Sequence, residues 1–443
     1  MKISLVGLGK LGLPLISCFA KAGYETLGVD IDQNKVNSIN SGISPIQEPN
    51  LQDLISEFGG YKLKATIDHA KAIQKTDVTF ILTSTPSKPD GSFSNCYLEL
   101  AIKSLAKTFA SIDKDYHLFV ISSTVIPGSI CSFISLIEKY SAKKLNEDFG
   151  VAFVPDFVAL GQVIKDFLNP DFVLIGESHK KAGDIVERIH KKMCENDPKI
   201  FRMSIINAEL AKICLNAYIT LKISFANSIA NLCEKIPGAD CDVITKSIGQ
   251  DKRISPYYFS GGLAFGGPCF PRDTKAFINI SDSYNEDARL IKAIQNLNEY
   301  QDLHLLDIVL SKLHQSENKT VGIMGLAFKK GTPTIVGSPA ITLINYLLKN
   351  DVSVIGYDPL SIELTKEIFG NRINYVTSPE LLLEKSGIII ITYRLKKFKE
   401  AIERFDSNHP IIIVDCWRII DSSVFKKNME YLPLGRWIED KSA

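Results

Sequence analysis

Lys2-Ile3-Ser4-Leu5-Val6, followed by Gly7-Leu8-Gly9-Lys10-Leu11-Gly12, is the stretch that decides the fold. A short β-type run meets three glycines spaced G-x-G-x-x-G, and Leu13 to Ala22 then carries apolar residues at helical spacing. Strand, glycine turn and helix in this order open a dinucleotide-binding unit, in which backbone N–H groups and the helix N-terminus approach a pyrophosphate. The spacing alone is weak, because glycines also make ordinary turns. The next strand, Glu25 to Val29, strengthens it by ending in Asp30, 18 residues beyond Gly12. A carboxylate there accepts hydrogen bonds from a ribose diol and repels a 2′-phosphate, so NAD is expected rather than NADP. Lys35 is either a contact on the adenosine side or a solvated helix lysine.

Outward from this stretch, Val78 to Thr83, Leu118 to Ser122 and Val151 to Val154 read as further strands with helical patterns between them, a parallel sheet wound on both faces. From Ile205 to about Glu234 the chain lacks Gly and Pro, which predicts one helix of roughly 30 residues and 45 Å at ~1.5 Å per residue. A glycine- and aromatic-rich loop runs from Ser255 to Arg272, and more helix from Glu286 to Leu313. The opening pattern then returns in Thr320-Val321-Gly322-Ile323-Met324-Gly325-Leu326-Ala327-Phe328, with Val352 to Tyr357 ending in Asp358 and later strands at Gly387 to Thr392 and Ile411 to Asp415. This reads as an internal duplication whose incomplete glycine pattern holds a nucleotide differently. The expected fold is α/β: two Rossmann-like, doubly wound parallel-sheet domains joined by a long central helix and a helical core. The boundaries are set at 1–200, 201–315 and 316–443.

A chain of 443 residues is long enough for two or three cores. Its 51 Lys+Arg against 50 Asp+Glu give no basic field for a polyanion, so no nucleic-acid partner is expected. Unbroken apolar runs such as Gly387 to Thr392 are far shorter than the ~20 residues of a membrane span, so no insertion is expected. The apolar start at Met1 is soon interrupted by glycines, so no secretory signal is expected there. Nine cysteines without a C-x-x-C pair fit a reducing, cytoplasmic setting, and most should be small buried hydrophobes. No metal site is predicted.

One cysteine stands out. Gly266-Gly267-Pro268-Cys269-Phe270-Pro271-Arg272-Asp273 sets a thiol among backbone-permissive residues, with an acid four positions on and a cation that favours a thiolate. On the predicted long helix, Lys212 and Asn216 are four apart and share a face, where an ammonium and an amide can hold a developing oxyanion. Taken alone, that pair reads more readily as surface polarity.

Together these residues resemble the UDP-glucose/GDP-mannose dehydrogenase family, in order along nearly the whole chain. The resemblance is carried by the Gly7 to Gly12 loop, Asp30, Thr85-Pro86, Ser123-Thr124-Val125-Ile126-Pro127-Gly128 and Pro155-Asp156-Phe157. It continues through Glu209-Leu210-Ala211-Lys212, Asn216-Ala217-Tyr218, Lys222-Ile223-Ser224-Phe225, the Gly266 to Asp273 loop and Gly325-Leu326-Ala327-Phe328-Lys329. It implies an NAD domain, a helical core used for homodimerisation, and a carboxyl-terminal domain that helps hold the nucleotide diphosphate. It also implies a four-electron oxidation of a sugar C6 alcohol to a carboxylate, for surface polysaccharide, with UDP-glucose the first choice and another UDP- or GDP-hexose the second. Cys269 would add to the intermediate aldehyde, because an aldehyde has no hydroxyl from which hydride loss gives an acyl product. Carried over residue by residue, Lys212 and Asn216 would stabilise the oxyanion, Asp273 would support proton transfer, Thr124 would position water and Asp156 would activate it. Gly7, Gly9, Leu11, Gly12, Asp30, Lys35, Thr85, Pro86, Ser123 and Thr124 would line the cofactor. Phe157, Val158, Arg253, Tyr258, Phe259, Gly266, Phe328 and Lys329 would join Lys212 and Asn216 around the sugar nucleotide, with Arg253 acting across the dimer or remaining a surface arginine.

The chain also departs from the family. Where Pro-Glu-Phe-Leu-x-Glu-Gly is usual it has Pro155-Asp156-Phe157-Val158-Ala159-Leu160-Gly161, so the first acid is shortened and the second lost. Val336 and Phe172 stand where arginines are usual. Loss of an acid and two cations together is expected if they once formed a single charged cluster. Two rivals remain: a two-electron β-hydroxyacid dehydrogenase, which needs neither Cys269 nor a third domain, and a catalytically impaired paralogue that binds nucleotide sugars.

Overall fold

The computed structural model describes residues 1–438, in two compact units that divide between Cys214 and Leu215. The first is built on eight strands: β1 (Lys2–Val6), β2 (Glu25–Val29), β3 (Leu63–Thr66), β4 (Val78–Ile81), β5 (His117–Ile121), β6 (Phe149–Phe153), β7 (Phe172–Glu177) and β8 (Lys199–Ser204). Their order is β3-β2-β1-β4-β5-β6-β7-β8. The sheet is parallel as far as β6; β7 then pairs antiparallel with β6, and β8 parallel with β7. The β4 run Val-Thr-Phe-Ile and the β5 run His-Leu-Phe-Val-Ile are buried throughout, as strands covered by helices on both faces must be. Alternation in β1 sends Ile3 and Leu5 into one apolar layer with Phe19 and Phe80, and Val6 into another with Phe109, Phe119 and Phe149.

The second unit carries most of the helical segment. The helix Ile205–Cys233 gives its last 19 residues to it and is followed by Cys241–Ile248, Phe270–Ser283 and Arg289–Gln315. Six parallel strands complete it: β9 (Val321–Met324), β10 (Val354–Tyr357), β11 (Asn374–Tyr375), β12 (Ile388–Ile391), β13 (Ile411–Asp415) and β14 (Met429–Pro433), ordered β11-β10-β9-β12-β13-β14. Renumbered from its own first strand, this is the same 3-2-1-4-5-6 order as β1 to β6, the Rossmann arrangement. The glycines that leave β1 and β9 share a left-handed conformation, Gly7 at φ 101° and Gly325 at φ 103°.

The helix Ile205–Cys233 is long and apolar enough, by length and composition, to cross a membrane. It escapes a search for unbroken apolar runs because Glu209, Lys212 and Lys222 interrupt it. Its Glu209, Lys212, Asn216, Thr220, Ser224 and Asn227 are buried within the protein, so its apolar character belongs to a core helix carrying polar function.

Candidate active site

In a doubly wound sheet, ligands lie outside the carboxyl ends of the strands where the order reverses, here between β1 and β4. The loop after β1 fits a pyrophosphate. A Cβ on Gly12 would sit 1.9 Å from the Gly7 carbonyl oxygen, so only glycine allows the helix Gly12–Lys21 to start so close. Around Gly9, by contrast, no atom lies within 4 Å of a Cβ position, leaving the backbone open to a ligand. Leu11 stands at the N-cap of that helix. Asp30, at the end of β2, accepts from the Leu8 amide through Oδ2 (2.9 Å) and from the Asp32 amide through Oδ1 (3.0 Å), with Lys35 Nζ 3.5 Å from Oδ2.

Two neighbouring loops are stitched together beside it. Ser123 Oγ, after β5, accepts from the Thr83 amide and donates to the Thr83 carbonyl, while Thr85 Oγ1, after β4, donates to the Thr124 carbonyl. Pro86 is exposed on the same loop. Asp156, Phe157 and Val158 follow β6. Lys212 Nζ donates to the Asp156 carbonyl at 2.5 Å and lies 4.6 Å from the Phe157 ring centre. Asp156 Oδ2 is buried without a hydrogen-bond partner, and burial pushes this carboxyl up to about 7, against the opposing pull of Lys212. Glu209 has a role the sequence reading left unassigned: its carboxylate accepts from the Gly128 and Ile130 amides at 2.8 and 2.9 Å, capping the helix Ser129–Ser141. A lone acid one turn before Lys212 in a helix without Gly or Pro was the available signal.

Leu160 and Phe172 pack against different apolar layers. Leu160 packs against the layer of Ile3 and Phe80, whereas Phe172 lies in the other layer, 5.0 Å from Phe157 and 6.0 Å from Phe201 between ring centres.

In the second unit Cys269 is exposed at the N-cap of the helix Phe270–Ser283, where the positive end of the helix dipole favours negative charge. One turn on, Asp273 is wholly buried; Asn216 Nδ2 donates to its Oδ2 at 2.6 Å and Arg272 Nε to its Oδ1 at 2.9 Å. Arg272 thus engages the carboxylate that the sequence reading kept separate from it. A Cβ on Gly266 would lie 2.0 Å from the Gly337 oxygen, and one on Gly267 2.7 Å from the Phe328 ring, so Gly266, Phe328 and the cysteine loop are brought together. Lys329 Nζ lies 5.6 Å from that ring. Tyr258 adopts φ 57° and meets Phe270 edge-on, while Phe259 is buried and stacked on Phe225. Arg253 is not brought in: its side chain is exposed and pairs with Asp251. Asp358, the counterpart of Asp30, is spent on structure, because it accepts from the Leu326, Ala327, Leu360 and Ser361 amides and the Tyr393 hydroxyl.

Three family models match in series: the UDP-glucose/GDP-mannose dehydrogenase family's NAD binding domain at residues 1–194, its central domain at 206–300 and its UDP binding domain at 322–422. A UDP-glucose 6-dehydrogenase of Haloferax volcanii is 35% identical over 95% of this chain and 97% of its own. A GDP-mannose 6-dehydrogenase of Pseudomonas syringae pv. tomato is 32% identical over 93% and 95%. Among solved structures, a UDP-glucose dehydrogenase from Pyrobaculum islandicum superposes with a TM-score of 0.89 at 29% identity, covering 99% of this chain and 98% of that one.

Proposed function

This chain belongs to the UDP-glucose/GDP-mannose dehydrogenase family and is an NAD-dependent nucleotide-sugar dehydrogenase, and from that premise we propose that it oxidises the C6 alcohol of UDP-glucose to the carboxylate through a thioester on Cys269. The observation that carries the proposal is Cys269 at a helix N-terminus, one turn from the buried Asp273 to which Asn216 is bonded. NAD supplies the hydride acceptor at both oxidation steps. Lys212 and Asn216 would hold negative charge on the C6 oxygen as the alcohol passes its proton to water, with Asp273 supporting that transfer, and its hydride to the cofactor. The Cys269 sulfur then adds to the aldehyde carbon, forming a C–S bond and a hydroxyl from which a second hydride can leave, which gives the thioester. Asp156 takes a proton from water, which attacks the acyl carbon; the C–S bond breaks, releasing the acid and restoring the thiol. Thr124 helps to orient that water. Gly7, Gly9, Leu11, Gly12, Asp30, Lys35, Thr85, Pro86 and Ser123 hold the dinucleotide. Phe157, Val158, Tyr258, Phe259, Gly266, Phe328 and Lys329 surround the nucleotide sugar.

UDP-glucose is favoured by the Phe270-Pro271-Arg272-Asp273 form of the nucleophile loop and by the UDP-glucose 6-dehydrogenases among the relatives. Residues 1–200 act as the cofactor segment, 201–315 as the dimerisation and catalytic segment and 316–443 as the nucleotide-sugar segment. Tyr218, Phe225 and Leu232, each more than half exposed at seven-residue spacing on one helix, form the apolar stripe a second copy would cover. The exposed Arg253 would then reach the partner's site. The setting is cytoplasmic and the product a uronic acid for surface polysaccharide.

The test is a count of NADH formed per sugar consumed across a panel of nucleotide sugars. Two per UDP-glucose supports the proposal, one returns the two-electron alternative, and none across the panel returns the binding paralogue.

A further inference from the structure

We infer that Asn227 and Asn298 are positioning residues for Cys269, acting through the buried approach of the loop that carries it; the inference rests on Cys269 being the nucleophile. The loop is buried from Gly261 to Phe265 and surfaces at Cys269. It belongs to no strand, so its buried amides cannot be satisfied by a sheet ladder and must find other partners. Side-chain carboxamides supply them. Asn227, on the helix Ile205–Cys233, accepts from the Gly262 amide at 2.8 Å and donates to the Leu263 carbonyl at 3.1 Å. Asn298, on the helix Arg289–Gln315, accepts from the Phe265 amide at 2.7 Å and donates to the Phe265 carbonyl at 3.0 Å. Gln301, one turn further on that helix, donates to the Gly262 carbonyl at 2.6 Å and is itself held by Asn231 Nδ2 at 2.9 Å.

A carboxamide that accepts and donates on one segment acts like a neighbouring strand and fixes both the place and the direction of the backbone. Aspartate could supply only the acceptor, and leucine neither. Beyond the clamps, the Gly267 amide donates to the Gly337 carbonyl at 3.0 Å, and the Cys269 carbonyl accepts from the Asp273 amide at 2.8 Å. Only three residues separate Phe265 from Cys269, so a chain pinned at both ends of that span leaves the sulfur little latitude. A thiol that must meet a transient aldehyde gains rate from such fixing, since misplacement by ~1 Å can cost about 100-fold.

The test compares Asn298→Leu, Asn298→Asp and Asn227→Leu with the native enzyme. Asn298→Leu is expected to slow acid formation about 10- to 100-fold while KM for UDP-glucose moves less than about threefold, because the loss falls on the reacting geometry. The rate of iodoacetamide alkylation of Cys269, followed on its own peptide by mass spectrometry, should change as well, and Asn298→Asp should recover part of both. Should a leucine variant fail to fold, Asn298→Asp carries the same two readouts. Cooperatively folded variants with native acid formation and native Cys269 alkylation overturn the inference. Cys269→Ser separates the two levels: acid formation in that variant defeats the nucleophile reading itself, whereas an inactive Cys269→Ser beside a fully active Asn298→Leu defeats only the positioning role.

Discussion

Replacing Asn216 by Leu probes the polar centre of the second unit directly. Asp273 is wholly buried, and its oxygens are served by Asn216 Nδ2 at 2.6 Å and Arg272 Nε at 2.9 Å. Leucine keeps the volume and removes the donor, so a buried carboxylate oxygen loses a charge-assisted hydrogen bond. Bonds to charged groups are worth about 1.5–3 kcal/mol and a buried group left unserved costs about 1–3 kcal/mol, which sets the loss at about 2–4 kcal/mol. At ~2–4 °C per kcal/mol for a unit of this size, Tm should fall by about 4–16 °C. On the proposed mechanism the same change also removes an oxyanion donor, and kcat should fall by about 100- to 1000-fold. Calorimetry and NADH production measure the two effects. Adding Asp273→Asn takes away the stranded charge, so the double variant should regain about half or more of the lost stability without regaining rate. A single variant whose Tm stays within a degree or so of the native protein, or a double variant less stable than the single, would refute this reasoning.

Other outcomes follow from the same geometry. Gly12→Ala, whose Cβ would lie 1.9 Å from the Gly7 oxygen, should raise the NAD dissociation constant at least about tenfold, measurable by calorimetric titration. Asp156 holds its proton up to about pH 7 because burial disfavours its carboxylate, so a base-dependent hydrolysis step should accelerate as pH rises through 7. The folded protein binds this proton more tightly than the unfolded chain, whose Asp titrates near ~4, so the group draws stability down between ~4 and 7. Asp156→Asn should flatten both the rate profile and that part of the Tm profile. Phe225→Glu, in the middle of the exposed apolar stripe, should yield monomers by sedimentation velocity.

Much of this was legible in the sequence, for physical reasons that differ by element. Glu25–Val29 was found to the residue, because a run of this kind between a helix and an acid has little else to become. The long helix, expected from Ile205 to about Glu234, ends at Cys233. Absence of Gly and Pro carried that expectation, since its weak amphipathicity gives almost no periodic signal. The strands β7 and β8 were missed: Lys-Ile-Phe-Arg-Met-Ser in β8 mixes cations into an edge strand that is only half buried, and nothing local marks the antiparallel join of β6 to β7. The strand β3 was missed as well, and helices still separate β6 from β7 and β7 from β8, so the alternation continues although the pairing of β6 with β7 is antiparallel. The Cys269 loop was visible from composition, because glycine, proline and cysteine seldom assemble for packing alone. Its clamps were not, because Asn227, Asn298 and Gln301 lie 33 to 39 residues from the backbone groups they hold, and a helix asparagine reads as solvated polarity. The pairing of Arg272 with Asp273 was hidden by adjacency, since neighbouring residues on a helix ordinarily diverge.

The central claim is a covalent bond between Cys269 and the C6 carbon of the sugar, and slowing the hydrolysis step exposes it. Asp156→Asn enzyme, mixed with NAD and UDP-glucose and quenched in acid, is digested and its cysteine peptides are weighed. The account predicts a UDP-glucuronyl mass on the peptide containing Cys269, discharged by hydroxylamine and absent when NAD is omitted. Release of two NADH and one acid per sugar, with that peptide unmodified at every quench time, would contradict it.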